Sequence, residues 1–209
     1  VDIIDTNGTT LLYNMIKFNR FNILKLIIKK SKINIGISLT DKKDIRGRTA
    51  LHYCVIFNNI DAFNFLLENN ADPFVTNNNG ENLFFYSLKY KKNDLLINLL
   101  KKFNAVNIKN SEGETLLQSA ISYDNLKIIK YILDNTNVNL NNKTKQDGIT
   151  ALHQLVARKN MSLVKQLIKL GADVSTTDNI GNNLLHFSLY DNDIELTEYL
   201  ILLNKINLN

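Results

Sequence analysis

The sequence predicts an all-α fold made of stacked helix–turn–helix units. Six glycines recur at spacings of 39, 33, 33, 35 and 33 residues, at Gly8, Gly47, Gly80, Gly113, Gly148 and Gly181. A period near 33 is typical of tandem units in which each helix pair buries its apolar face only against its neighbours. Two further patterns, polar helix starts and paired apolar helical segments, favour the same fold.

The first pattern marks where the first helix of each unit begins. Two residues after each glycine stands a Thr or Asn, whose side-chain oxygen can accept a hydrogen bond from the unpaired N–H groups of a helix start. These predicted N-caps are Thr10, Thr49, Asn82, Thr115, Thr150 and Asn183.

The second pattern places two helices in each unit. Apolar residues follow each glycine at helical spacing twice, as in Leu51 and Val55 and then Ala62, Phe63, Leu66 and Leu67. Between the two helices we expect a residue in the left-handed conformation, which Asn and Asp tolerate better than most residues and Lys less well. The residues at this position are Asn19, Asn58, Lys91, Asp124, Lys159 and Asn192.

The best-preserved segments, GRTALH from Gly47, GITALH from Gly148 and GNNLLH from Gly181, identify a family resemblance. The chain resembles the ankyrin repeat family over essentially its whole length. The resemblance implies one ankyrin-repeat domain, 1–209, forming an α-solenoid whose helix pairs are joined by β-hairpin-like loops. The expected repeats are 5–43, 44–76, 77–109, 110–144, 145–177 and 178–209.

The chain departs from the family pattern at several points. The Pro of the family's T-P-L-H motif is Ala or Leu in every unit, and the inter-helix Gly is absent. The 39-residue spacing predicts a hairpin lengthened by about six residues between Ile33 and Asp44, and the 35-residue spacing a smaller extension near Asn141 to Lys145. The first residue, Val1, and a very apolar last helix lead us to expect a segment of a longer protein that continues or binds other protein at its ends.

Composition restricts the classes of function. The net charge is +5, but the sequence lacks the clustered basic stripe of a nucleic-acid-binding protein. An anionic membrane surface stays open as a partner. The single cysteine, Cys54, rules out a disulfide framework, and no apolar run is long enough to span a bilayer. We therefore expect an intracellular protein of the cytoplasm or nucleus.

The histidines, His52, His153 and His186, share one position of the repeat. Equivalent residues of stacked helices lie about 10 Å apart per unit, which excludes a shared metal site. The family resemblance instead implies structural roles for these histidines and for the Gly and Thr of the motif, at Gly47, Thr49, Gly148, Thr150 and Gly181. Cys54 is expected to be a buried, inert thiol. No catalytic motif occurs, so we expect no enzymatic activity, no cofactor, no metal and no small-molecule substrate.

The resemblance also implies where a partner protein or peptide binds, on the hairpin tips and the exposed side of the first helices. The charged residues expected at the tips are Arg46, Arg48, Glu81, Glu112 and Glu114. Ten residues after successive glycines come the residues Phe18, Phe57, Tyr90, Tyr123 and Arg158. Four aromatics at equivalent positions either form an exposed binding surface or pack locally over the inter-helix turn, and the sequence leaves both alternatives open.

These observations predict a non-catalytic protein–protein interaction scaffold. The alternative is a targeting or regulatory arm of a multidomain enzyme or lipid-transfer protein whose active domain lies outside this segment. The full-length sequence would distinguish the two.

Overall fold

The computed structural model describes residues 9–31, 39–134, 137–190 and 193–203. The chain divides into two compact units, Val1–Asn104 (unit 1) and Ala105–Asn209 (unit 2). Unit 1 contains a 3₁₀ turn at Leu39–Asp41 and the helices α1 (Leu11–Lys17), α2 (Phe21–Ser31), α3 (Ala50–Phe57), α4 (Ile60–Glu68), α5 (Leu83–Lys89) and α6 (Asn93–Phe103). Unit 2 contains α7 (Leu116–Ser122), α8 (Leu126–Leu133), α9 (Ala151–Ala157), α10 (Met161–Lys169), α11 (Leu184–Leu189) and α12 (Ile194–Leu202). The described residues form no β-strand, only isolated bridges such as Lys109–Thr115 and Thr177–Asn183, so the predicted all-α class is confirmed.

The first helix of every repeat starts where the sequence predicts. The six residues Thr10, Thr49, Asn82, Thr115, Thr150 and Asn183 occupy the N-cap positions of α1, α3, α5, α7, α9 and α11. The Asn82 carboxamide oxygen, for example, accepts from the Phe84 N–H at 3.1 Å. Helices this short are unstable alone in water, so these caps and the packing between helices must stabilise them together.

In the turn that follows the first helix of a repeat, one residue adopts the left-handed backbone conformation. Asn19, Asn58, Lys91, Asp124 and Lys159 all have φ between 51° and 55°, as predicted, and Asn192 lies outside the described residues. Positive φ values also occur after the second helices, at Asn70, Asn104 and Gly171.

Within each of the two compact units, the first helix of one repeat packs against the first helix of the next repeat. In unit 1, α3 lies between α1 and α5, and α4 packs on α2 and α3. Its core includes fully buried Leu51, Phe63, Leu66 and Leu96. In unit 2, α9 lies between α7 and α11, around a core that includes Leu117, Ile132, Leu152, Val164 and Leu167. Truncating one such buried side chain to alanine typically costs about 2–5 kcal/mol.

Tight turns form the hairpin tips that connect the repeats. The Asp44 Oδ1 accepts from the backbone N–H groups of Arg46 at 2.9 Å and Arg48 at 2.7 Å, which closes the turn around Gly47. Asn77 and Asp178 close their own tips in the same way. A short polar side chain at the first tip position thus replaces the hydrogen bonds that a longer strand pair would supply.

Neighbouring tips also bond to each other within each unit. In unit 1 the Asn78 N–H donates to the Arg46 carbonyl at 3.0 Å and the Asn78 side-chain amide to the Ile45 carbonyl at 2.9 Å. A Cβ at Gly47, whose φ is +73°, would lie 2.3 Å from Asn78 Oδ1. This close approach, together with the positive φ, explains why glycine occupies the position.

The two predicted insertions differ in how far they are described. Of the longer one, residues 32–38 lie outside the described residues, and the rest begins with the 3₁₀ turn Leu39–Asp41. The shorter one lengthens a tip by one residue, because four positions separate Thr144 from Gly148 where three separate Asp44 from Gly47. Every helix within the described ranges falls short of the length and apolarity needed to cross a bilayer.

Candidate functional site

A groove runs along the tip side of the first helices of unit 1. It consists of two clefts, of about 330 and 230 Å³, that share the tip residues Ile45, Arg46 and Arg48. We call it the unit 1 groove and define it by Tyr13, Asp44, Ile45, Arg46, Arg48, Tyr53, Phe57, Glu81, Tyr86, Lys89 and Tyr90. Helices α1 and α3 supply the aromatic side chains of the first cleft, and α5 and its C-cap supply those of the second.

The aromatic residues at the ends of the first helices are partly exposed. Phe18 is 60% exposed, Phe57 36%, Tyr90 44% and Tyr123 45%. The inner parts of two of them pack locally: the Phe57 ring lies 5.8 Å from that of Tyr13, and the Tyr90 ring lies 4.7 Å from that of Tyr86. For Phe57 and Tyr90 both alternatives left open by the sequence therefore apply in part, since each of these two rings is partly exposed and also packs on a second aromatic ring.

Asp44, Arg48 and Tyr53 form a buried polar cluster beneath the first cleft. Arg48 Nε and Nη2 each lie 2.9 Å from Asp44 Oδ2, and the Tyr53 hydroxyl donates to the same oxygen. The Arg48 guanidinium also lies 4.8 Å from the Tyr53 ring centroid. Burial raises the pKa of Asp44, but the hydrogen bonds from Tyr53 and Arg48 outweigh it and hold that pKa below its usual value. The charge of Arg48 is thus neutralised inside the chain.

The Glu81 carboxylate, in the second cleft, is also paired within the chain. Its carboxylate accepts from Lys89 Nζ at 2.6 Å and from the Asn77 amide at 2.9 Å. Burial raises the pKa of Glu81, yet these bonds lower it overall. Arg46, by contrast, is exposed and makes no ion pair with any residue in the described ranges. Of the three charged residues expected at the unit 1 tips, Arg46 is therefore the one whose charge is not paired within the described part of the chain.

The remaining predicted binding residues belong to unit 2. Glu112 is exposed, whereas Glu114 accepts from Asn110 and from Ser119, both at 3.0 Å. Arg158 reaches back to the first helix of the preceding repeat, where its Nη2 donates to the Ser122 carbonyl at 3.0 Å. Glu114 and Arg158 thus both serve bonds within the chain, while Tyr123 and Glu112 face outward.

At the histidine position of the repeat, His52 and Gln118 each link a helix start to the next repeat. His52 Nδ1 accepts from the Thr49 N–H at 3.2 Å, so its Nε2 carries the proton and faces the Glu81 carbonyl at 3.4 Å. Gln118 does the same in unit 2, accepting from the Thr115 N–H at 2.9 Å and donating to the Ile149 carbonyl at 2.9 Å. A glutamine can replace the histidine because both offer one acceptor and one donor at opposite ends of a planar group.

The other two histidines repeat the capping contact in different surroundings. The Thr150 and Asn183 N–H groups each donate to the Nδ1 of His153 and His186 at 3.2 Å. Burial lowers the pKa of both His52 and His153 to about 4, whereas His186 is exposed. The buried imidazoles are therefore neutral at pH 7.

The single thiol lies in the core. Cys54 is fully buried, and burial raises its pKa well above the usual range, so it is protonated and unreactive. Within the described part of the chain, no three His, Cys, Asp or Glu side chains converge where they could hold a metal ion.

Sequence reasoning missed Tyr13, Asp44, Tyr53, Tyr86 and Lys89 as groove residues. Two signals pointed to Asp44, Tyr53 and Tyr86. Tyr53 with Phe57 and Tyr86 with Tyr90 are i, i+4 aromatic pairs, which share one helix face. Asp44 and Arg48 are opposite charges four residues apart around a tight turn.

The fold is shared with a known structure. The ankyrin repeat domain of Bcl-3, described as a unique member of the IkappaB protein family, superimposes with a TM-score of 0.78 at 20% sequence identity, over 94% of this chain and 85% of that one. At this identity the likeness shows the fold alone.

Relatives in sequence are ankyrin repeat proteins of viruses and animals. An ankyrin repeat protein of Acanthamoeba polyphaga mimivirus is 27% identical over 96% of this chain, which spans only 26% of that protein. One of Fowlpox virus (strain NVSL) is 36% identical over 70% of this chain and 98% of its own length, and the human Notch-regulated ankyrin repeat-containing protein is 34% identical over 43% and 81%. The family model for ankyrin repeats (3 copies) matches residues 1–77 and 69–144, and that for ankyrin repeats (many copies) matches residues 152–201. The chain belongs to the ankyrin repeat family.

Proposed function

We propose that this chain is a non-catalytic recognition module that binds a partner protein or peptide in the unit 1 groove. The observation that carries the proposal is the pair of half-exposed rings of Phe57 and Tyr90, each packed on a second aromatic ring. Aromatic side chains that are exposed at one edge and fixed at the other are typical of binding hot spots.

The polar cluster under the groove supports the same proposal. Asp44, Arg48, Glu81 and Lys89 are joined by ion pairs within the chain, so the groove walls are held in place without a partner. A preformed surface loses less conformational entropy on binding, and more of the contact energy then contributes to affinity. In unit 2 the exposed Tyr123 and Glu112 offer a further contact area for a partner, and in unit 1 Phe18 and Arg46 extend the groove surface.

A non-catalytic role fits the chemistry of the groove. Its carboxylates accept hydrogen bonds from fixed donors, the buried His52 is neutral at pH 7, and the thiol of Cys54 is out of reach of solvent. None of these groups is available as a nucleophile or general base for a bound substrate.

A second candidate is the role of a targeting or regulatory arm of a longer protein. It is favoured by the mimivirus relative, of which this chain spans 26%. In that case the groove would deliver an active domain located elsewhere to its partner. The two candidates share the same binding surface and differ only in what the full-length protein carries.

Affinity capture with quantitative mass spectrometry tests the proposal. The chain is compared with Phe57→Ala/Tyr90→Ala and with a matched control, Ile23→Ala/Leu26→Ala, whose two exposed side chains lie on α2 and do not line the groove. We expect a captured protein that the groove variant loses and the control retains. Equal recovery by all three proteins would contradict a role for the groove.

A further inference from the structure

The net positive charge of the chain lies in unit 1. Residues 1–104 contain 15 Lys and Arg against 9 Asp and Glu, a net charge of +6. Residues 105–209 contain 10 against 11, a net charge of −1. The fold itself does not require such a difference in net charge between its two halves. We therefore attribute the difference to the attraction of a charged partner.

The first helices of unit 1 carry charge of one sign. Helices α1, α3 and α5 contain Lys17 and Lys89 and no Asp or Glu. The tips add Arg46 and Arg48, together with the carboxylates of Asp44 and Glu81. The groove side of the unit therefore has four cationic groups and two anionic ones.

Both carboxylates are already engaged by donors within the chain. Asp44 accepts from Tyr53, Arg48 and two backbone N–H groups, and Glu81 accepts from Lys89 and Asn77. A cationic partner would find no unoccupied carboxylate on this surface. Two cations remain for an anionic partner, Arg46 at the tip and Lys17 on α1. The Lys17 Nζ lies 5.4 Å from the Tyr13 ring centroid and 5.3 Å from that of Phe18.

The shape of the groove indicates how such a partner lies. Ile45, Arg46 and Arg48 separate the two clefts, and each cleft has an aromatic wall, formed by Tyr13 and Phe57 on one side and by Tyr86 and Tyr90 on the other. An apolar side chain fits each wall, and an acidic side chain between them meets Arg46. Side chains two residues apart in an extended peptide point to the same face, so positions i, i+2 and i+4 direct an apolar, an acidic and a second apolar side chain at the groove.

We propose that the unit 1 groove binds an extended acidic peptide segment with apolar residues on both sides of the Asp or Glu that pairs with Arg46. This inference rests on the proposed function and names the chemical class of its partner. Single-stranded nucleic acid also combines negative charge with stacking bases. It fits less well, because a strand carries a phosphate at every nucleotide, whereas Arg46 is the one groove-lining cation that forms no ion pair in the described part of the chain.

Selection from a random 12-residue peptide library displayed on mRNA tests the inference, with the full chain immobilised. We expect the enriched peptides to carry net negative charge and at least two aromatic or aliphatic residues. Their affinity, measured by fluorescence polarisation with labelled synthetic copies, should fall about tenfold between 50 and 300 mM salt, since steering and pairing between charges weaken with screening.

A charge reversal with a matched control locates the contact. Arg46→Glu is expected to weaken binding of the acidic peptides at least tenfold, and Lys29→Glu, the same change at an exposed position on the last turn of α2, less than twofold. Circular dichroism of both variants checks that each is folded.

Each outcome of the selection decides something. Enriched peptides that are neutral or basic, and that Phe57→Ala/Tyr90→Ala no longer binds, would overturn the acidic class while leaving the recognition function intact. Peptides bound equally well by the groove variant would contradict both. Tighter binding of a labelled 12-nucleotide oligouridine than of any selected peptide would overturn the inference in favour of RNA.

Discussion

At the scale of single residues, the repeat positions do one structural task each, and their chemistry explains the residue types. Gly47 permits both a positive φ and the close approach of Asn78. Gly181 has an equally unusual φ of +91°, but a Cβ there would meet nothing within 4 Å. Comparing an alanine substitution at each of the two positions therefore distinguishes the cost of backbone strain from the cost of a steric clash.

We expect Gly47→Ala to lower the free energy of unfolding by roughly 2–4 kcal/mol, and Gly181→Ala by about 1 kcal/mol. Both substitutions strain a left-handed residue, and the first also forces Asn78 away from the tip. Urea denaturation monitored by circular dichroism measures the difference. Equal losses at the two positions would mean that the tip contact contributes nothing.

His52 makes the stability depend on pH. Its pKa is lowered to about 4, mainly by burial, so the unfolded state takes up a proton first as the pH falls. The stabilisation is complete above the ordinary pKa of about 6.5 and is lost as the pH falls towards 4. Its charged neighbours, Asp44, Glu81 and Arg48, keep their charge at pH 5, since the pKa of both carboxyl groups is lowered.

His52→Gln should retain the cap, because Gln118 makes the equivalent contacts in unit 2. Between pH 7.5 and pH 5 we expect the variant to lose roughly 2 kcal/mol less stability than the parent chain. Parallel urea titrations at the two pH values give both losses. If the pH dependence is unchanged by the substitution, His52 is not the group responsible.

At the scale of elements, the turn between the two helices of a repeat is defined by its left-handed residue. Asn19, Asn58 and Asp124 suit this conformation, whereas Lys91 and Lys159 adopt it at a cost. The tight packing of each helix pair imposes the turn, so the lysines accept the strained backbone. The position tolerates them because it is exposed at the surface.

Replacing Lys91 with Gly is therefore expected to raise the free energy of unfolding by about 0.5–1 kcal/mol, the relief of strain being partly offset by the greater freedom of the unfolded chain. Lys101→Gly, in the last turn of α6, is the matched control and should lower it by about 1 kcal/mol. Thermal unfolding of both variants is the measurement. A loss of stability at position 91 would show that the left-handed turn carries no strain.

Local elements were predictable from the sequence because local chemistry determines them. The helix caps and the inter-helix turns follow from the residue at each position and its neighbours. The pairing of Arg48 with Asp44 and Tyr53, and of Glu81 with Lys89, depends on which way each side chain turns once the tips are in place. Sequence position alone therefore assigned Arg48 and Glu81 to the partner, although the folded chain uses both internally.

At the scale of the whole molecule, two units with the same fold present different surfaces. Unit 1 has a net charge of +6 and a groove with aromatic walls, while unit 2 has a net charge of −1 and offers Tyr123 and Glu112. The buried residues recur from repeat to repeat and build the fold, and the exposed residues differ. Partner choice therefore depends on the exposed positions, and the shared ankyrin fold does not determine it.

Phe57→Ala/Tyr90→Ala should separate binding from stability. Each ring is partly exposed, so we expect a loss of about 1 kcal/mol per substitution, against about 3–5 kcal/mol for the fully buried Phe63→Ala. Differential scanning fluorimetry ranks the variants. A double variant as unstable as Phe63→Ala would assign the two rings to the core.

The most direct test of the recognition role is photo-crosslinking from within the groove. A benzoylphenylalanine placed at position 57 is compared with one at position 26 on α2, which is also exposed. If the unit 1 groove binds a partner polypeptide, position 57 yields a discrete cross-linked protein and position 26 does not. Cross-links of equal yield from both positions, or a discrete product from position 26 alone, would contradict the assignment of the groove as the binding site.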